Sequence, residues 1–181
     1  MEFTSITHSV VDYVAAHQEY AAPIVFTLAF LESLAFLSLL VPSTAMLLGI
    51  SALLGAAGVN IWPIWLAGGT GAAIGYSISY WLGYHFKDQI FASRLAKNQA
   101  ASIERAKAFF EKYGVLGVFL GHFVGPIRAV IPVVAGAFGV KHIPFEIANV
   151  ASSFLWISIV LSPGYVAGSS DTVLRMMGLV K

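Results

Sequence analysis

The sequence predicts an all-α polytopic membrane protein, an inverted repeat in which each half is a re-entrant helical hairpin plus a transmembrane helix, with interfacial amphipathic helices outside the repeats. Three observations lead there. Of the 181 residues, 58% are hydrophobic and 10% charged, whereas soluble domains carry about 25% charged residues. The charges are also segregated. From Tyr20 to Phe86 the only formally charged side chain is Glu32, from Tyr113 to Val140 it is Arg128, and from Ile147 to Ser170 there is none. Finally, the chain repeats itself at a spacing of 81 residues. GAAGVNIWPIWLA (55–67) lies over GAFGVKHIPFEIA (136–148), and Ser77, Ile78, Gly83 and Tyr84 lie over Ser158, Ile159, Gly164 and Tyr165.

The elements follow in order within a single membrane domain, 1–181. Residues 1–20 read as an interfacial helix, with Phe3, Ile6, Val10 and Val14 at helical spacing and Asp12, His17 and Glu19 among the polar positions. The opening MEFTSITHSV has neither the basic n-region nor the apolar h-region of a signal peptide. The first repeat, 22–85, begins with an apolar block, 22–58, that is too long for one span and barely long enough for two. Pro42 lies near its middle, and a bilayer core about 30 Å thick takes roughly 20 helical residues. The block is expected to fold as two half-helices meeting at a break, followed by a full span at 61–85. The connector, 87–112, holds Lys87, Arg94, Lys97, Arg105, Lys107 and Lys112 against Asp88, Glu104 and Glu111. Its basic excess places it in the cytoplasm. Residues 99–113 within it have Ile103, Ala106, Phe110 and Tyr113 at helical spacing before Gly114, a C-cap residue. This helix is expected to lie on the membrane or on its own protein. The second repeat, 113–169, opens with Arg128, Gly125, Pro126 and Pro132 in its apolar block, again a broken hairpin, and continues into a span at 145–168. A short tail, 170–181, ends the chain. Irregular backbone at membrane depth is tolerated only beside protein or a water-filled cavity, so both breaks should face a buried site. Inverted repeats of this kind build midplane sites in transporters.

Glu32 and Arg128 are the charges within the hairpins, and Glu32 is the only acid inside the apolar blocks. A charge at the bilayer centre costs about 2.5–3.5 kcal/mol on insertion scales. Two readings stand: an ion pair that pins the hairpins together, or a polar site in which Arg128 holds a phosphate or carboxylate bidentately. Intramembrane ionisable groups are functional by default, which favours the second. His122 is either a neutral histidine in a polar pocket or a proton carrier or anion contact. Ser43 and Thr44 are expected to satisfy backbone freed by Pro42; Tyr76 and Tyr80 could face the cavity, but lipid-facing or packing aromatics are the expected reading. Net charge is +1 and there is no cysteine, so nothing suggests nucleic acid, and zinc-thiolate sites and thiol nucleophiles are excluded. No metal or cofactor is expected. Neither a nucleophile elbow nor HExxH is present, so the chain does not read as an enzyme.

FLE at 30–32, VPS at 41–43, GHFVGPIRAVIPVVAG at 121–136, and NVASSFLW followed by GY within 149–165 resemble the DedA family of bacterial membrane proteins, whose VTT (SNARE-associated) domain is shared with eukaryotic lipid scramblases. The resemblance covers about residues 20–168. It implies two re-entrant hairpins in inverted repeat, the bacterial cytoplasmic (inner) membrane, and lipid movement, reported for undecaprenyl phosphate and phosphatidylethanolamine in different members, with proton coupling proposed for some. Glu32 and Arg128 match the family pattern. Thr44 stands where many members have an acid, and His122 where many have an arginine. The expected function is movement of a lipid with an anionic or phosphate-bearing headgroup between leaflets. Arg128 and His122, beside Ser43 and Thr44, would contact the headgroup, and Glu32 would act as counter-charge. Membrane lipids are the expected partners, and proton linkage and homo-oligomerisation stay open. The alternative is a non-transporting membrane-integrity or assembly factor whose charge pair is structural.

Overall fold

A computed structural model describes residues 9, 11–35, 43–92, 98, 100–124 and 128–170. Every regular element among them is helical. After a short 3-10 turn, Gln18–Tyr20, come α1 (Ala21–Ser33), α2 (Ser43–Ala56), α3 (Ile61–Ala92), α4 (Ala100–Tyr113), α5 (Val115–Gly121), α6 (Ile131–Ala137) and α7 (His142–Ser169).

Two long helices organise the molecule. At 1.5 Å per residue, the 32 residues of α3 and the 28 of α7 reach about 48 and 42 Å. α7 is the one helix among the described residues whose length and hydropathy together suit a membrane crossing. α3 is longer, but Gly68, Gly69, Gly71, Gly75 and Gly83 dilute its hydropathy. Its helical geometry fails at Phe86 (φ −117°, ψ 22°), the residue before Lys87, where the apolar run ends. The two helices are antiparallel. Trp65 Nε1 donates to Ser158 Oγ at 2.8 Å, Asn149 Nδ2 donates to the Ala73 carbonyl at 3.0 Å, and the Tyr80 ring stacks on Phe145 at 4.1 Å.

The short helices lie along these two, seated by glycines. α1 runs parallel to α3, with Gly71 against the Phe26 carbonyl and Gly75 against that of Phe30. α2 runs parallel to α7, with Gly164 against the Leu48 carbonyl and Gly168 against that of Ala52. α6 packs on α3, where Gly136 meets the Tyr80 carbonyl and Gly83 meets that of Val133. A Cβ at any of these glycines would strike backbone, which cannot rotate aside, so the close approach depends on small residues, as is usual between apolar helices. α1 therefore packs on the long helix of its own half, while α2 and α6 each pack on the long helix of the other half.

The N-terminal helix is expected within residues 1–20. Within the described residues it is helical at 11–16, then leads through the 3-10 turn into α1. Val14 is fully buried and Val11 packs on the same core, so this segment lies on its own protein. α4 does likewise, setting Ile103, Phe109 and Phe110 against the cluster around Tyr76, Val118 and Ile131. Gly114 ends α4 with φ +54°, and its amide reaches the Phe110 carbonyl at 2.8 Å. Of the expected breaks, Pro42, Gly125 and Pro126 lie outside the described residues. Pro132 sits in the first turn of α6, where its missing N–H is not needed, at the start of the short helix that follows the interruption after α5.

Candidate functional site

Glu32 lies in the last turn of α1, held deep by the glycine seats of α3, and only 2% of its side chain is exposed. Arg128 Nη2 donates to its Oε1. Thr44, in the first turn of α2, donates its hydroxyl to the same oxygen, correcting the expectation that it serves the backbone. Oε2 of Glu32 is buried without a partner among the described residues. The side chain of Ser43 lies outside the described residues. Arg128 differs from Glu32 in being 22% exposed. Its guanidinium lies 5.6 Å from the centre of the Trp156 ring, within cation–π range.

Tyr76 and His122 complete the cluster. The Tyr76 hydroxyl donates to the Arg128 carbonyl at 2.9 Å, and its ring stacks on His122 with centroids 4.5 Å apart. His122 is 2% exposed, and its Nδ1 is 3.3 Å from Ser152 Oγ. Tyr76 was expected to be a packing or lipid-facing aromatic; it is buried and holds the backbone that presents Arg128. Tyr80 is a packing aromatic, with its hydroxyl on the Val140 carbonyl. Tyr76 is midway along α3 and Trp156 midway along α7, so the cluster sits at half-height on both long helices.

A second polar group was missed. Glu146, one turn into α7, accepts from Ser77 Oγ at 2.8 Å and from Asn149 Nδ2 at 3.1 Å. Ser153 donates to Asn149 Oδ1 at 3.2 Å, and Ser152 donates to the Asn149 carbonyl at 3.0 Å. Glu32 is therefore not the only acid packed among apolar helices. The signal was present: Glu146, Asn149, Ser153 and Trp156 recur at three- and four-residue spacing on one face of α7. Among the described residues no three His, Asp or Glu side chains converge as a metal site. The chemistry the main cluster offers is anion binding. A guanidinium has five N–H donors in a planar fork, and apart from the bond to Glu32 those of Arg128 meet no other acceptor among the described residues.

The VTT domain family matches residues 41–166. Inner membrane protein YabI of Escherichia coli (strain K12) is 33% identical over 151 residues, covering 83% of this chain and 59% of that protein. The uncharacterized membrane protein BU139 of Buchnera aphidicola (subsp. Acyrthosiphon pisum) is 31% identical over 149 residues, 82% of this chain and 58% of that protein. Inner membrane protein YqjA of Escherichia coli (strain K12) is 27% identical over 156 residues, covering 84% and 70%. The chain thus spans about three fifths of the length of YabI and BU139. No solved structure matches it. With a VTT domain over most of its length and relatives named as inner membrane proteins, the chain belongs to the DedA family and is a protein of the bacterial inner membrane.

Proposed function

We propose that this chain is a non-enzymatic lipid transporter that moves a lipid with an anionic or phosphate-bearing headgroup between leaflets, with Arg128 holding the headgroup phosphate and Glu32 neutralising Arg128 when the site is empty. The observation that carries the proposal is the asymmetry of the pair. Glu32 is sealed at 2% exposure while Arg128 is open at 22%, at half-height on both long helices. An accessible guanidinium is a group that an incoming headgroup can reach, whereas a fully sealed pair would offer none. His122, stacked under Tyr76, and Thr44, bonded to Glu32, line the same cluster.

The architecture proposed around the site is an inverted repeat of re-entrant hairpins. Three observations support it. α1 and α2, with 13 and 14 residues, are each about 20 Å long at 1.5 Å per residue, short of a bilayer core. The repeat-equivalent helices α3 and α7 run antiparallel. The repeat-equivalent glycines Gly55 and Gly136 both seat on the opposite long helix, against the Tyr165 and Tyr80 carbonyls respectively.

The test is reconstitution into liposomes carrying headgroup-labelled anionic and zwitterionic lipids, with label accessibility followed from outside. Wild-type protein is expected to expose inner-leaflet label, and the folded Glu32→Gln, Arg128→Gln double variant is not. A folded double variant with wild-type lipid movement would leave the pair a structural pin and defeat the proposal.

A further inference from the structure

The 81-residue repeat relates two cavities as well as two helices. One, of about 460 Å³, is lined by Tyr80, Trp81, Tyr84, His85, Lys141 and His142 among others. The other, of about 330 Å³, includes Ile61, Leu161, Ser162, Tyr165 and Val166. Shifted by 81 residues, Tyr80, Trp81, Tyr84 and His85 fall on Leu161, Ser162, Tyr165 and Val166, and Ile61 falls on His142. Because α3 and α7 are antiparallel, the cavities lie at opposite ends of the pair. The first is at the connector end of α3, beside the start of α7.

Their chemistry differs at the equivalent positions. Where the first has His85, Lys141 and His142, the second half of the comparison offers Val166, Asn60 and Ile61. Lys141 is exposed and makes no ion pair among the described residues. Lys107 of α4, 5.9 Å over the ring of Phe138, belongs to a smaller neighbouring cavity that shares Val140 with this one. Two acids lie nearby. Glu146 accepts from Ser77 and Asn149 on Oε2, while its Oε1 lies 3.9 Å from His142 Nδ1 and is buried without a hydrogen-bond partner among the described residues. Glu111 lines a separate small cavity with Lys107. At the mouth, Trp81 and Tyr84 are about half exposed, as aromatics at a membrane–water interface are. From His142, Ile143 and Ile147 continue along α7 as a largely exposed apolar flank (72% and 68%), where acyl chains would lie below a headgroup.

We infer that the Lys141 cavity is a docking site for an anionic phospholipid headgroup on the connector face, and that its repeat mate does not select for charge. The inference rests on the lipid-handling function proposed above. A lipid, rather than a soluble anion, is the occupant because the Lys141 cation, the interfacial aromatics and the apolar flank are contiguous.

The experiment uses tryptophan quenching in phosphatidylcholine nanodiscs. Variants retaining only Trp81 or only Trp62, with the other tryptophans changed to Phe, are challenged with brominated-chain phosphatidylglycerol and, at the same fraction, brominated-chain phosphatidylcholine. Trp81 should prefer the anionic lipid about fivefold, the ratio that one lysine near an anionic headgroup supplies. Lys141→Gln should abolish the preference, Lys141→Arg should keep it, and Trp62 should show none. If a single-tryptophan chain does not fold, phosphatidylglycerol retention by the full chain, with and without Lys141→Gln, is read by native mass spectrometry. Equal quenching by both lipids at Trp81, a preference that survives Lys141→Gln, an equal preference at Trp62, or loss of the preference in millimolar inorganic phosphate would each overturn the assignment. Selective binding without lipid movement would leave the docking site standing and remove the transport proposal; movement without selective binding would do the reverse.

Discussion

Changing Arg128 to Gln would strand the Glu32 carboxylate where 2% of its surface is exposed, with only the Thr44 hydroxyl bonded to it among the described residues. At an effective dielectric near 20, opposite charges about 4 Å apart attract by about 4 kcal/mol. Deleting one partner of a buried pair costs about 3–5 kcal/mol, because the other charge is left uncompensated. The two single variants should not be equal. Arg128 is 22% exposed and regains hydration when Glu32 is neutralised, so Glu32→Gln belongs near the lower bound, about 3 kcal/mol, and Arg128→Gln near the upper, about 5 kcal/mol. The double variant leaves no charge behind. It should be more stable than Arg128→Gln alone, so the cycle should show a coupling above about 3 kcal/mol, near the Coulombic attraction of about 4 kcal/mol. Unfolding in mixed micelles titrated with dodecyl sulfate, followed by tryptophan fluorescence and far-ultraviolet circular dichroism, measures all four corners. Additivity within about 0.5 kcal/mol, or a Glu32→Gln variant less stable than Arg128→Gln, would refute this reasoning.

Thr44→Val removes a hydrogen bond to a carboxylate and should cost about 1.5–3 kcal/mol in the same unfolding measurement. Gly55→Ala and Gly136→Ala each drive a methyl into backbone, against the Tyr165 and Tyr80 carbonyls, and should each lose at least about 1–3 kcal/mol; wild-type stability in either would mean that helix crossing is not tight. The chain has no cysteine, so Ser5→Cys, Ser102→Cys and Ser170→Cys can be labelled singly in intact cells with an impermeant reagent. The first and third should react and Ser102→Cys should not, and the opposite pattern would invert the topology. His122→Gln should reduce lipid movement in liposomes several-fold while leaving the protein folded; wild-type movement would show that the ring only packs against Tyr76.

How legible the site was depended on contrast. Glu32 and Arg128 each stand alone in a long uncharged run, and the structure brings those two side chains together. Thr44 was noticed for its position after Pro42, yet its partner could not be read from the sequence, since it depends on how α1 and α2 meet. Tyr76 and Trp156 gave no contrast, because aromatic residues are common in apolar helices; what distinguishes them is their level on α3 and α7, a tertiary property. Glu146 was overlooked because it stands beside the edge of an apolar run, next to His142 and Lys141. The polar stripe from Glu146 through Asn149 to Ser153 shows only when α7 is read by face rather than by block. Among the repeat identities, Gly55, Gly83, Gly136 and Gly164 proved to be helix-crossing residues, a role that matched prolines and tyrosines alone would not have suggested.

The crossed seating of the short helices bears on the order in which the protein can be completed. α2 leaves the ribosome early, but the surface it needs, Gly164 and Gly168 of α7, is among the last parts of the described chain to be made. Until then α2 is held by the turn into α3 and by α1, and its glycine-seated flank has nothing to lie on. α6, by contrast, emerges after α3 and can dock on Gly83 at once. The second half can thus be assembled as it is synthesised, while the first must wait for it. A nascent chain stopped before residue 142 should expose α2 to membrane proteases, and adding residues 142–170 as a separate co-expressed polypeptide should protect it.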